Sequence, residues 1–199
     1  MQSRLPTEER QAEIVAAALA LAREVSPPLI TTSDLAAAVG VTQGAVFKHF
    51  PTKDAIWLAA MQWVSARLLS ALEAAAGRAD SPLEALAAMF KAHVAFVVTH
   101  PGVPRLIFHE LQRPADSPIK QEVRHLLKSY RRLLRQRLDA GVARREVCAK
   151  VDLEAAATLF VGVVQGLVMQ SMATGNAAGL KSQADAVFAI YRRGISEVS

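Results

Sequence analysis

Apolar residues recur along this chain at three- and four-residue spacing, and no segment alternates apolar and polar positions for long. That period belongs to helices packed by one face, so the expected fold is all-α. A first helix is predicted over residues 8–25, capped by Thr7, with Glu8 and Glu9 in its first turn and Ile14, Ala17, Ala18, Leu21 and Val25 on one face. Ser26, Pro27 and Pro28 end it. Further helices are predicted over residues 53–76, 82–99, 105–112, 117–143, 152–174 and 181–197. The loop at 77–82 separates the second half, and Pro101, Gly102, Pro104, Pro114 and Pro118 supply the remaining breaks.

Between the first helix and residue 53 the pattern changes scale. Thr31 or Thr32 can cap a short helix with Asp34 in its first turn and Leu35, Ala36 and Val39 on one face. Gly40 suits a left-handed helix end, and Val41 plugs the turn. Thr42 can cap a second short helix over residues 43–50, which Pro51 stops. Val46, Phe47 and Phe50 form its apolar side, leaving Gln43, Gly44, Ala45 and Lys48 facing away. Two short helices joined in this way are the layout of a helix-turn-helix.

The outward residues have chemistry suited to base edges. Gln43 can pair with adenine, Ala45 can touch a thymine methyl, and Lys48 can reach a phosphate or guanine. Gly44 costs a helix roughly 1 kcal/mol relative to alanine, which makes sense where a groove, or a neighbouring helix, must come close. Thr52 caps the next helix, so Lys53 sits in its first turn against the dipole. A bound phosphate would reverse that sign, whereas Asp54 beside a solvated lysine would merely offset it.

These residues, VGVTQGAVFKHF followed by PTKDAIW and preceded by an amphipathic helix, resemble the DNA-binding end of TetR-family transcriptional regulators over about residues 7–58. The resemblance implies a homodimer that binds double-stranded DNA at an inverted-repeat operator and is released by a small-molecule effector held in its C-terminal part. It places Thr42, Gln43, Gly44, Ala45, Phe47, Lys48 and His49 on the recognition helix, and Thr32 and Lys53 at phosphate contacts. Phe47 departs from the family's common tyrosine and lacks the hydroxyl that would bond a phosphate. The implied division is a DNA-binding domain over residues 1–54 and an effector-binding and dimerisation domain over 55–199.

Charge complicates this picture. The formal net charge is +5, in keeping with a nucleic-acid partner. Yet residues 1–54 carry five basic and six acidic side chains, whereas residues 120–150 carry ten basic and three acidic. The head must therefore rely on a few placed cations, with Arg4 in a flexible arm, rather than on a broadly basic surface. Arg124, Lys128, Arg131, Arg132 and Arg135 form the outward face of a helix whose buried stripe is Val123, Leu126, Leu127, Tyr130, Leu133, Leu134 and Leu138. Such charge runs are usually solvated.

The helix over residues 152–174 is apolar nearly all round and is expected to be buried. Thr158, Gly162 and Gly166 would let a second helix approach closely, with Leu159 and Val163 beside them. With the last helix it could form a four-helix dimer interface, or pack within one subunit. Pocket candidates are Met89, Phe90, His93, Phe96, Val97, His100, Phe108, Phe160, Gln165, Met169 and Met172, most of which must also serve the core.

Cys148 is the lone cysteine, so no internal disulfide forms. His93, His100 and His109 lack the short spacing of a zinc site, and no nucleophile, phosphate-loop or paired-carboxylate motif stands out. No cofactor or catalysis is expected. No uninterrupted apolar run of membrane length and no signal peptide is evident, so a cytoplasmic protein without membrane partners is expected. Two other classes fit the same residues. One is an all-α ligand-binding protein or enzyme whose turn is structural; the other is a nucleoid-associated DNA-binding factor without effector control.

Overall fold

The computed structural model describes residues 6–175 and 177–196, which form nine α-helices, one 3-10 turn and no strand. The helices are α1 (Thr7–Leu21), α2 (Thr32–Ala38), α3 (Gln43–His49), α4 (Lys53–Ala76), α5 (Pro82–Thr99), α6 (Gly102–Gln112), α7 (Pro118–Ala143), α8 (Leu153–Thr174) and α9 (Ala177–Ile195). The all-α expectation holds. Arg4 and Glu197, named above in the arm and at the end of the last helix, lie outside the described residues.

The chain divides into two compact units, and neither follows the expected cut after residue 54. The first comprises residues up to 66 together with 100–124; the second comprises 67–99 and 125–199. The physical reason lies inside the first unit, where α6 packs on α1. A Cβ on Gly102 would stand 2.2 Å from the Leu19 carbonyl oxygen and 3.0 Å from the Ala22 Cβ. Only glycine permits that approach, so residues 100–124 belong with the head.

The core of the first unit is formed by Ile14, Val15, Ala18, Leu35, Val46, Ile56, Met61 and Leu106, all buried. The second unit is centred on packed rings. Phe90 meets Phe160 at 5.4 Å and Phe188 at 5.3 Å between centroids, Tyr191 lies 5.5 Å from Phe160, and Tyr130 lies 6.1 Å from it. These three contacts of Phe160 are edge-on, an arrangement that adds to the burial of apolar area. Gly175, at φ +67°, ends α8 in the left-handed conformation that glycine adopts without strain.

Several boundaries differ from expectation. The Pro6 carbonyl accepts from Arg10 N–H, so α1 begins at Thr7, which is not its cap. It ends at Leu21 and turns, leaving Val25 exposed rather than on the inner face. Phe50 is extended at φ −137° and ψ 118°, as the residue before Pro51 must be, so α3 stops at His49. α6 starts at Gly102 and contains Pro104 in its first turn, where the missing N–H removes no helical bond. α8 is not buried all round: Leu159 and Met169 are each 54% exposed.

α4, α5 and α8 are long and apolar enough to cross a membrane by length and composition alone. Here their apolar residues supply much of the buried core, among them Ile56, Leu86 and Phe160.

Candidate nucleic-acid interface

Reciprocal bonds start α2. Asp34 N–H donates to Thr31 Oγ1 at 3.1 Å, and Thr31 N–H donates to Asp34 Oδ2 at 2.8 Å. This is a capping box with aspartate as its acid. The bonds from the Thr31 backbone and side chain hold the Asp34 carboxyl below the usual range. Gly40, at φ +67°, then turns the chain, and Val41 N–H closes the helix end on the Ala36 carbonyl at 2.9 Å. Thr42 Oγ1 accepts from Ala45 N–H at 3.3 Å and starts α3.

Two longer bonds fix α3 within the unit. Gln43 Nε2 donates to Thr32 Oγ1 at 2.6 Å, and Gln11 Nε2 donates to the His49 carbonyl at 3.0 Å. The buried anchors of α3 and its C-cap are Val46 and Phe50. Thr42, Gln43, Gly44, Phe47 and Lys48 are exposed, and Ala45 and His49 are half-buried. Phe47, grouped above with the inner side, is 45% exposed and shares the outer face with Gln43, Gly44 and Lys48. A Cβ on Gly44 would meet nothing within 4 Å, so no neighbouring helix of the unit demands this glycine. His49 Nδ1 is buried without a hydrogen-bond partner among the described residues.

Lys53 has a role that local sequence did not reveal. Its Nζ donates to the Pro28 carbonyl at 2.8 Å and the Ile30 carbonyl at 2.7 Å. The ammonium thus bonds the segment that leads into the Thr31 cap, which offsets its unfavourable place in the first turn of α4. An ammonium has three donors, so one remains.

Two family descriptions match the chain: "Bacterial regulatory proteins, tetR family" over residues 14–60, and "Tetracyclin repressor-like, C-terminal domain" over residues 79–169. The chain belongs to the TetR family. Among curated relatives of this TetR-family protein, the nucleoid occlusion factor SlmA of Shewanella pealeana is 24% identical over 76% of this chain and 78% of its own length. SlmA of Haemophilus ducreyi is 30% identical over 58% of this chain and 57% of its own.

Solved structures share the fold. The fatty acid degradation regulator FadR from Bacillus halodurans superposes with a TM-score of 0.83 at 18% identity, covering 97% of this chain and 98% of that one. FadR from Bacillus subtilis, in complex with stearoyl-CoA, gives 0.81 at 19% identity, covering 92% and 98%. The ketosteroid transcriptional regulator KstR2 of Mycobacterium tuberculosis gives 0.78 at 19%, covering 99% and 98%.

In the second unit of this TetR-family chain, Met89, Phe90, Phe96, Val97 and Phe160 are buried. His93 Nδ1 lies 3.1 Å from the Tyr130 hydroxyl. Burial pushes the His93 imidazole down to about 4 and the Tyr130 phenol well up. At neutral pH the phenol therefore keeps its proton and can donate it to the neutral Nδ1. Phe188, Tyr191 and Tyr130 join these rings but carried no sequence signal beyond helical spacing. Gln165, Met169 and Met172 are exposed, and His100 and Phe108 belong to the first unit, where His100 packs edge-on to Trp63 at 5.3 Å. Of the pocket candidates, His93, Phe90 and Phe160 meet around the rings of the second unit, with Tyr130 among them. No group of three His, Cys, Asp or Glu side chains among the described residues sits close enough to hold a metal.

Thr158, Leu159 and Gly162 are exposed on α8, with Val163 and Gly166 half-buried beside them. A Cβ on Gly162 or Gly166 would meet nothing within 4 Å. The described part of the chain thus offers these glycines no helix to pack against.

Proposed function

We propose that this TetR-family protein is a homodimeric, sequence-specific repressor in the cytoplasm that leaves its operator when a small molecule binds. The observation that carries the reading is the face of α3. A glycine with no internal purpose stands there beside exposed Gln43, Phe47 and Lys48. A groove floor is the kind of surface that requires such an approach. Ala45 and His49 flank that face, and Thr32 and the remaining Lys53 donor are suited to phosphate. The open glycines of α8, flanked by Leu159 and Val163, support self-association, and a two-fold dimer reads an inverted repeat.

The aromatic core of the second unit supports an apolar effector. The stearoyl-CoA carried by one structural neighbour suggests acyl thioesters as first compounds to test. The deciding experiment selects binding sequences from a random DNA pool and measures affinity against salt. An inverted repeat bound with a steep salt slope, and lost on adding an effector, is the expected result. Binding that ignores sequence would refute the reading.

The SlmA relatives favour a second reading, a nucleoid-associated factor without effector control. Occupancy at many scattered genomic sites, unchanged by any effector that stabilises the protein, would select it.

A further inference from the structure

His93 stands where α5 should keep no accessible surface. Lys91 and Ala95 are exposed on the outer side of that helix. Each residue turns an α-helix by about 100°, so His93, two steps from either, faces inward. Its neighbours one turn away on that inner face, Met89, Phe90, Phe96 and Val97, are all buried. His93, at their centre, is only half-buried. An inward side chain ringed by buried neighbours keeps surface only where the packed helices leave a hollow opposite it. The second unit therefore holds a hollow that reaches the imidazole.

The proton on that imidazole can be placed. Tyr130 is 1% exposed, and the 3.1 Å contact with His93 Nδ1 is the one hydrogen bond of its hydroxyl among the described residues. A hydroxyl that only accepted would leave its own proton unpaired in the core, which native proteins rarely do. The phenol therefore donates, Nδ1 accepts, and the single ring proton sits on Nε2. No described residue bonds Nε2. The buried atoms without a partner among the described residues are His49 Nδ1, Trp57 Nε1 and Ser65 Oγ, and His93 Nε2 is not one of them. Nε2 thus keeps accessible surface, and an oxygen the size of water can reach its proton. Burial alone accounts for the depressed imidazole, with no charged group among the causes. A carboxylate in this hollow would lose its hydration with no cation to meet it. A neutral carbonyl oxygen meets the N–H without that cost.

Resting on the effector reading above, we infer that the effector is an apolar compound with a neutral carbonyl, a ketone, ester or thioester, whose oxygen accepts from His93 Nε2–H inside this hollow. Tyr130 is a positioning residue, since its donated bond fixes which ring nitrogen carries the proton.

Ring ¹⁵N spectra of the full-length chain read both the tautomer and the contact. The five histidines are told apart by replacing each with glutamine, so His93 is assigned by elimination even where His93→Gln does not fold. The free protein should show Nδ1 bare and Nε2 protonated. 2-Nonanone and methyl octanoate, titrated through the millimolar range, should shift the His93 Nε2 signal saturably. Nonanoate should bind more weakly than either. His93→Leu should weaken the ketone about fivefold, the size of one neutral hydrogen bond. Tyr130→Phe should move part of the proton to Nδ1 and weaken the ketone while the imidazole stays. A proton resting on Nδ1 in the parent chain, a His93 signal unmoved by ketone and ester, or nonanoate bound as tightly as the ketone overturns the proposal. The two readings fail separately. A compound that releases DNA with His93 unmoved keeps the effector reading and overturns this one. A ketone that binds at His93 and leaves DNA binding unchanged supports the contact and overturns the effector reading.

Discussion

The Gln43 side chain donates to the Thr32 hydroxyl at 2.6 Å, joining the first turns of α2 and α3 across eleven residues. Both residues are proposed to contact DNA, and in that reading the bond fixes the rotamer of a base-reading amide before DNA arrives. Thr32→Val should leave stability within about 0.5 kcal/mol, as for other surface changes. Operator affinity should nevertheless fall, because Gln43 must be reordered on binding. Gln43→Ala should weaken selected over random DNA by about 1–3 kcal/mol. Fluorescence anisotropy on both DNAs checks the pair; equal losses on both would assign Gln43 to phosphate instead.

Gly44 separates folding from function. With open space where its Cβ would be, Gly44→Ala should stabilise the protein by up to about 1 kcal/mol through helix propensity. The same methyl should reduce operator affinity. Thermal unfolding and DNA titration of one sample read both effects. A variant that gains stability without losing affinity shows that nothing approaches this glycine.

Lys53 is expected to matter without DNA. Lys53→Met removes the bonds to the Pro28 and Ile30 carbonyls and should destabilise the chain by about 1–2 kcal/mol, measured by urea unfolding. If its remaining donor also meets a phosphate, the salt slope of DNA binding should flatten by about one counterion.

Self-association can be tested on α8. Leu159→Glu and Gly162→Glu place a charge on an exposed face, so helix content should hold. Sedimentation velocity should show each variant as a monomer while the parent chain runs as a dimer. An unchanged dimer would move the interface elsewhere.

His93 makes stability depend on acid. Its folded value of about 4 lies below the ordinary 6.5, so the unfolded chain takes up the proton first as pH falls. The contribution is complete above pH 6.5 and lost as pH falls through about 4. The loss approaches about 3 kcal/mol at most, from the size of the shift. His93→Gln should flatten the urea-midpoint profile across this window; a parallel profile would show that other groups dominate.

What could be read from the sequence was what depends on neighbours along the chain. The threonine before α3 and the glycine after α2 announce their helix ends through local bonds. Pro104 misled because proline breaks a helix only beyond its first turn. Phe47 was assigned inward on hydrophobicity alone, and its exposure follows from the rotation of α3 set by Val46 and Phe50. The Lys53 bonds span more than twenty residues, and no spacing rule reaches that far. Which pocket candidates meet was illegible for the same reason: helical periodicity gives the face of a helix but not its neighbour.

The close seat of Gly102 on the end of α1 bears on how such a protein can be re-engineered. A chimera that transplants only residues 1–66 onto a foreign sensor would carry the reading helix but leave the Leu19–Ala22 seat bare. The portable module is discontinuous, and residues 100–124 must travel with it.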